Sequence, residues 1–112
     1  MDKNKTTNLI IIVIIIVIGL FIISINKPRN QTTEEIAKCI GEKSELYIQL
    51  GCHYCEIQKE MFGENYQYLK VIDCFYEREK CANINGTPTW IIKGQSYEGL
   101  QEIKTLRNLT GC

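Results

Sequence analysis

Apolar and polar positions divide the chain into three stretches. Positions 9–25 (LIIIVIIIVIGLFIISI) are apolar throughout apart from Gly19 and Ser24. Positions 26–32 are polar and include Pro28. From 33 to 112 the two kinds of residue alternate with the periods of short helices and strands, the mark of a folded domain.

The apolar run holds 17 residues, near the lower limit for crossing hydrocarbon at about 1.5 Å of helical rise each. Its isoleucines are poor helix formers in water. In lipid the backbone must satisfy its own hydrogen bonds, so a single span has to be helical. Lys3 and Lys5 precede the run, and Lys27 and Arg29 follow it. Flanks so nearly symmetric do not set the orientation by charge. A cleaved signal peptide is the competing reading. The length of the run, with no small-x-small site after it, favours an uncleaved signal anchor.

In the third stretch, Thr32 or Thr33 is placed to cap a short helix, with Glu34 and Glu35 where the dipole favours negative charge. Ile36 and Ile40 share a face with Cys39, and Gly41 is expected to end that helix. Leu46, Ile48 and Leu50 alternate with Tyr47 and Gln49, which predicts a strand. From Cys52 the period becomes helical. Tyr54, Ile57 and Met61 keep one face, Glu56, Lys59 and Glu60 face water, and Gly63 marks the stop. Leu69, Val71 and Ile72 open a second strand that ends near Phe75, and the charged run 76–80 reads as a turn or short helix. Gly86-Thr87-Pro88-Thr89 leads into a third strand at 90–92, positions 93–96 carry a hairpin signal, and Tyr97 begins a fourth strand. Leu100, Ile103, Leu106 and Leu109 recur at three-residue steps and predict a closing amphipathic helix. The order is α-β-α-β-(α)-β-β-α. The chain therefore divides into a tail at 1–8, an anchor at 9–25, a linker at 26–32 and one α/β domain at 33–112.

Composition changes this picture in two ways. Thirteen basic residues balance thirteen acidic ones and no basic stripe appears, so nothing attracts nucleic acid. Six cysteines are many for 112 residues. In a reducing cytosol such a count suggests metal binding, and in an oxidising compartment it suggests disulfides. Either reading of the apolar run sends the cysteine-rich part to the extracytoplasmic side, which favours disulfides; a cytoplasmic-facing domain is the alternative.

Gly51-Cys52-His53-Tyr54-Cys55 places two thiols around two residues, at the junction of a predicted strand and a predicted helix. A sulfur at a helix N-terminus is held as thiolate by unpaired N–H groups and the positive end of the dipole. Cys52 is thus the expected nucleophile, and Cys55, one turn in, the resolving thiol. His53 between them would stabilise the thiolate when cationic; an exposed, solvated histidine is the plain alternative. Cys74 and Cys81 are placed to close an eight-residue loop, worth about 2–3 kcal/mol in the chain-entropy model. They read as a structural bridge, with a redox relay to the first pair as the alternative. Cys39 and Cys112 remain. Their pairing would be worth about 4 kcal/mol on the same basis and would pin the C-terminal end; a free Cys39 in the core is the alternative.

The element order, with a dithiol at a strand-to-helix junction and a Thr-Pro before a later strand, resembles the thioredoxin fold across 33–112. More narrowly, several stretches resemble the thioredoxin-like domain associated with vitamin K epoxide reductase homologues. These are Cys52-His53-Tyr54-Cys55 running into Gln58-Lys59-Glu60-Met61-Phe62-Gly63, then Cys74 with Cys81, Gly86-Thr87-Pro88-Thr89-Trp90, and Tyr97-Glu98-Gly99. The resemblance implies a cis bond before Pro88 and a Thr87 backbone that pairs with an extended substrate strand. It implies a membrane-anchored thiol–disulfide oxidoreductase acting on exported proteins, with no cofactor beyond the dithiol. It also implies a vitamin K epoxide reductase-like membrane partner that passes electrons to quinone. Two features depart from the pattern. Many relatives carry Pro-His between the cysteines, where this chain has His53-Tyr54. Thioredoxins also keep a buried acid beneath the dithiol, and the nearest candidates here, Glu45 and Gln49, match it poorly.

Two other classes compete. Cys52, Cys55, Cys74 and Cys81, or three of them with His53, would be a zinc set, although six residues separate the second pair where two to four are usual. A non-catalytic, disulfide-stapled interaction domain is the other. His53 is the single histidine and lies inside the dithiol, which disfavours a hydrolase triad.

Overall fold

A computed structural model describes residues 2–25 and 32–112. The linker predicted at 26–32 lies outside the described residues except for Thr32. One helix, α1 (Lys3–Ile25), is long and apolar enough to cross a membrane, and none of it is buried against the rest of the chain. Its 23 residues rise about 34 Å, longer than the apolar run alone because the polar residues before position 9 continue the helix.

The domain opens with α2 (Glu34–Lys43). Thr33 caps it, its hydroxyl accepting from the Ile36 N–H at 3.3 Å. Glu34 and Glu35 fill the first turn, and Lys38 pairs with Glu34 at 2.7 Å. The expectation that Gly41 ends this helix is wrong. Gly41 is buried inside α2, and the cap is Ser44. A Cβ on Gly41 would collide with the backbone carbonyl of Tyr68, which lies across the helix. Glycine is there for close approach, not for termination.

Strand β1 (Ser44–Ile48) follows directly. It ends two residues earlier than the alternation predicted, and Leu50 falls in the next turn, 59% exposed. Helix α3 (His53–Phe62) ends at Gly63, whose φ is 55°. A 3₁₀ segment, Gly63–Tyr68, then carries the chain to β2 (Val71–Asp73), shorter than predicted. A second 3₁₀ turn, Arg78–Cys81, precedes β3 (Thr89–Ile92), β4 (Gln95–Glu98) and α4 (Ile103–Thr110). Leu100, predicted on the buried face of the last helix, precedes α4 and is 39% exposed.

The sheet order is β2-β1-β3-β4. β1 and β2 are parallel, with Leu46 opposite Val71, and β3 is antiparallel to both β1 and β4. This mixed four-stranded sheet with flanking helices is compatible with a thioredoxin-like fold. The C-terminal ends of β1, β2 and β4 and the N-terminal end of β3 therefore share one edge. β3 is central and buried on both faces, with Thr89, Trp90 and Ile92 all shielded. Around Trp90 the core gathers Ala37 and Ile40 of α2, Leu46 of β1, Phe62 of α3, and Ile103 and Leu106 of α4.

Two further bridges fasten this framework. Cys39 of α2 joins Cys112, just past α4, and Cys74 joins Cys81 across the turn after β2.

Gly41→Ala tests the contact between α2 and the first 3₁₀ segment. In a free helix alanine would add about 1 kcal/mol over glycine. Against the Tyr68 carbonyl it is expected to cost about 1–3 kcal/mol net. Thermal unfolding of the full chain in detergent, followed by emission of the single Trp90, measures the difference. Unchanged or raised stability would show that the two segments separate at no cost.

Candidate active site

Four residues carry the chain from β1 into α3, and their order explains the geometry. Gly51 turns the backbone with φ at 84°, a left-handed value that disfavours side chains with a Cβ. Cys52 then takes the helix N-cap. Its N–H donates to the Gln49 carbonyl at 3.1 Å, and its carbonyl accepts from the Glu56 N–H at 3.2 Å. Its Sγ accepts from the Cys55 N–H at 3.1 Å. A sulfur thus fills the place that a serine or aspartate oxygen commonly takes at a helix start.

Cys52 and Cys55 form a disulfide, with Cα atoms 5.2 Å apart. The two sulfurs are not equivalent: Cys52 is half-buried, while Cys55 faces the core at 4% exposure. The buried stripe of α3 is Cys55, Gln58 and Phe62, one position on from the face predicted through Tyr54, Ile57 and Met61. Tyr54 is instead 58% exposed, and Ile57 and Met61 are half-buried.

The reason for that shift is Gln58, which polarity alone places at the surface. It is fully buried with every polar group engaged. Its Oε1 accepts from the Trp90 indole N–H at 3.0 Å and from the Gln101 backbone N–H at 2.9 Å. Its Nε2 donates to the Gln101 carbonyl at 3.0 Å. One amide thereby ties the dithiol helix to β3 and to the segment before α4. Phe62 adds ring contact with Trp90, centroids 5.9 Å apart. The signal for Gln58 in the sequence was its spacing, three residues from Cys55 and four from Phe62.

The loop before β3 meets the dithiol from the other side. The Thr87–Pro88 peptide is cis. Pro88 is fully buried, and its carbonyl accepts from the Gly99 N–H at 2.8 Å. Thr89 Oγ1 donates to the Gly86 carbonyl at 2.6 Å. These two bonds hold the loop so that the Thr87 carbonyl oxygen lies 3.5 Å from Cys52 Sγ. In the disulfide this is a contact; a reduced Cys52 thiol would have a proton to donate there. Thr87 N–H and C=O enter no backbone hydrogen bond among the described residues.

Cys52, Cys55, Thr87 and Pro88 are therefore brought together. Cys74 and Cys81 line a cavity that Thr87 also lines, while Cys39 and Cys112 meet elsewhere, at the α2–α4 contact. His53 starts α3 and is exposed, its ring 5.6 Å from that of Tyr54. Glu45 sits at the far end of β1, opposite Ile91. The Lys70 ammonium at 3.0 Å, and then the Tyr47 hydroxyl at 2.9 Å, hold its carboxyl below the usual range. A carboxylate so engaged, and so placed, does not serve the dithiol. The four sulfurs considered as zinc ligands are used in two separate pairs, and among the described residues no three of His, Cys, Asp and Glu gather as a metal set.

Five large apolar side chains of the domain are exposed: Leu50, Tyr54, Phe75, Tyr76 and Leu100. All follow strand ends on the edge that carries the dithiol, or begin α3. The pattern had assigned Leu50, Tyr54 and Leu100 to buried faces.

No protein-family profile matches the chain. A curated protein, thiol-disulfide oxidoreductase LTO1 of Arabidopsis thaliana, is similar to it: 37% identical over 83 residues, covering 64% of this chain and 22% of that protein. The chain thus spans about a fifth of the length of the relative it matches.

Proposed function

We propose that this chain is a membrane-anchored, thioredoxin-like thiol–disulfide oxidoreductase that oxidises cysteines of exported proteins. The observation that carries the reading is the Cys52–Cys55 disulfide, whose half-buried sulfur caps α3 beside the backbone of Thr87. The similarity to a protein named thiol-disulfide oxidoreductase supports it. The apolar part of α1 at 9–25 is the anchor, with the tail at 1–8, the linker at 26–32 and the catalytic domain at 33–112 on the extracytoplasmic side.

The chemistry follows from the inequality of the sulfurs. A substrate thiolate attacks Cys52 Sγ, the S–S bond to Cys55 breaks, and Cys55 leaves as thiolate. A second substrate thiolate then attacks the substrate sulfur of the mixed disulfide and releases Cys52 as thiolate. Two electrons pass from substrate to protein, and the substrate gains one disulfide. The Thr87 backbone aligns the substrate as an added strand, and the exposed apolar side chains near the dithiol favour unfolded polypeptide. A vitamin K epoxide reductase-like membrane partner, passing electrons to quinone, would restore the disulfide.

The cap supports this direction of flow. The Cys55 N–H and the start of the α3 dipole stabilise the Cys52 thiolate, which exists only in the reduced form. Stabilising the reduced form makes the disulfide a stronger oxidant. Equilibration with a redox buffer is expected to place the pair toward the oxidising end, near about −120 mV; a value near about −270 mV would make it a reductant.

In the fully reduced chain, iodoacetamide is expected to alkylate Cys52 faster than Cys55, on the order of tenfold, because only the former is an accessible, stabilised thiolate. Equal rates, read by peptide mass mapping, would overturn the assignment of nucleophile and resolving thiol.

Cys52→Ser is expected to abolish oxidative refolding of a reduced test protein. The double variant Cys39→Ser/Cys112→Ser should keep that activity below its lowered melting temperature. Activity surviving Cys52→Ser would overturn the assignment of Cys52 as the nucleophile, and a wild-type chain without activity would favour a stapled interaction domain over an enzyme.

A further inference from the structure

Beside the dithiol lies a cavity of about 300 Å³ whose lining includes Gln49, Cys74, Arg78, Cys81, Asn85 and Thr87. Two of these touch the reacting residue. The Thr87 oxygen is 3.5 Å from Cys52 Sγ, and the Gln49 carbonyl accepts the Cys52 N–H. A substrate strand laid along Thr87, with its cysteine over Cys52, must place a neighbouring side chain at this opening.

Arg78 is the one charged residue in the lining. Among the described residues its guanidinium enters no ion pair and no side-chain hydrogen bond. The other charges on its turn are spoken for or point elsewhere: Lys80 is paired with Glu77 at 2.6 Å, and Glu79 is exposed and outside the lining. Glu98 lies against Gly86 but does not line the cavity. The Cys74–Cys81 bridge closes the eight-residue loop that presents Arg78, so the arginine is carried on a fixed turn. A guanidinium presents a planar fork of donors that matches a carboxylate in two-pronged fashion, and the side-chain amides of Gln49 and Asn85 add neutral donors.

We propose that this cavity selects substrates with an Asp or Glu side chain close to the reacting cysteine. The proposal rests on the oxidoreductase reading and adds a substrate class to it. It also gives the second bridge a part in specificity, as the clamp on the Arg78 turn.

The test uses the full oxidised chain in detergent micelles. Its probes are dithiol peptides, acetylated and amidated, that carry Glu, Gln or Lys on either side of the attacking cysteine. Blocking the ends leaves the tested side chain as the only carboxylate. Neighbouring charge alters thiol reactivity by itself, so each rate is divided by the rate of the same peptide with hydroxyethyl disulfide, which is neutral. The Glu peptide is expected to exceed the Lys peptide by about fivefold to tenfold on one flank. Arg78→Glu should reverse that order, while Lys80→Glu, an equal charge change outside the cavity, should leave it intact. Equal rates for Glu and Lys on both flanks, or a preference that survives Arg78→Glu, overturn the proposal and leave the oxidoreductase reading standing. Failure of the wild-type chain to oxidise even the Gln peptide overturns both.

Discussion

The first turn of a helix has N–H groups with no partner inside the helix, and in α3 a sulfur meets that need. Most of what is distinctive in this chain depends on that substitution. A serine at position 52 would cap as well and be inert. Because the capping atom is Cys52 Sγ, the same N–H that caps the helix is placed to stabilise a thiolate once the disulfide is reduced. The local requirement of folding and the requirement of the chemistry coincide at one atom, and the rest of the domain keeps that atom in place. β1 delivers it, the Thr87 loop covers one side, and Gln58 holds the helix to β3 from beneath.

The Gln58 amide shows how a polar residue can order a core. Three of its bonds reach Trp90 and both backbone groups of Gln101, so α3, β3 and the approach to α4 share one fixed point. Losing it would strand the indole N–H of Trp90 in the core, at about 1–3 kcal/mol. Apolar contact alone, such as Phe62 against Trp90, fills space without fixing the register of the helix along the strand.

Much of the fold was legible because its elements repeat at their own periods and are punctuated by glycine and proline. The element order, a threonine cap at 32 or 33 and the Gly63 stop can be read from the chain directly. What could not be read follows a common physical cause. Hydropathy reports how much a side chain would gain from burial, not whether the fold provides it. Leu50, Tyr54 and Leu100 looked like core and are exposed, while Gln58, on neither predicted face of its helix, is fully buried. Gly41 misled for a related reason: a glycine's role in packing depends on a neighbour 27 positions later, Tyr68, that no local pattern contains. The dithiol itself was visible, but Arg78 became interesting only once the fold brought its turn beside Thr87.

Gly51 has a consequence of a different kind. Its φ is 84°, yet nothing lies within 4 Å of where a Cβ would be. The turn before the dithiol therefore selects for handedness and not for size. An L-residue is strained there however small it is, whereas a D-residue has that backbone conformation as its natural one and open space for its side chain. The approach to the reactive sulfur is closed to ordinary substitution by stereochemistry alone, and a mirror-image amino acid would enter it freely.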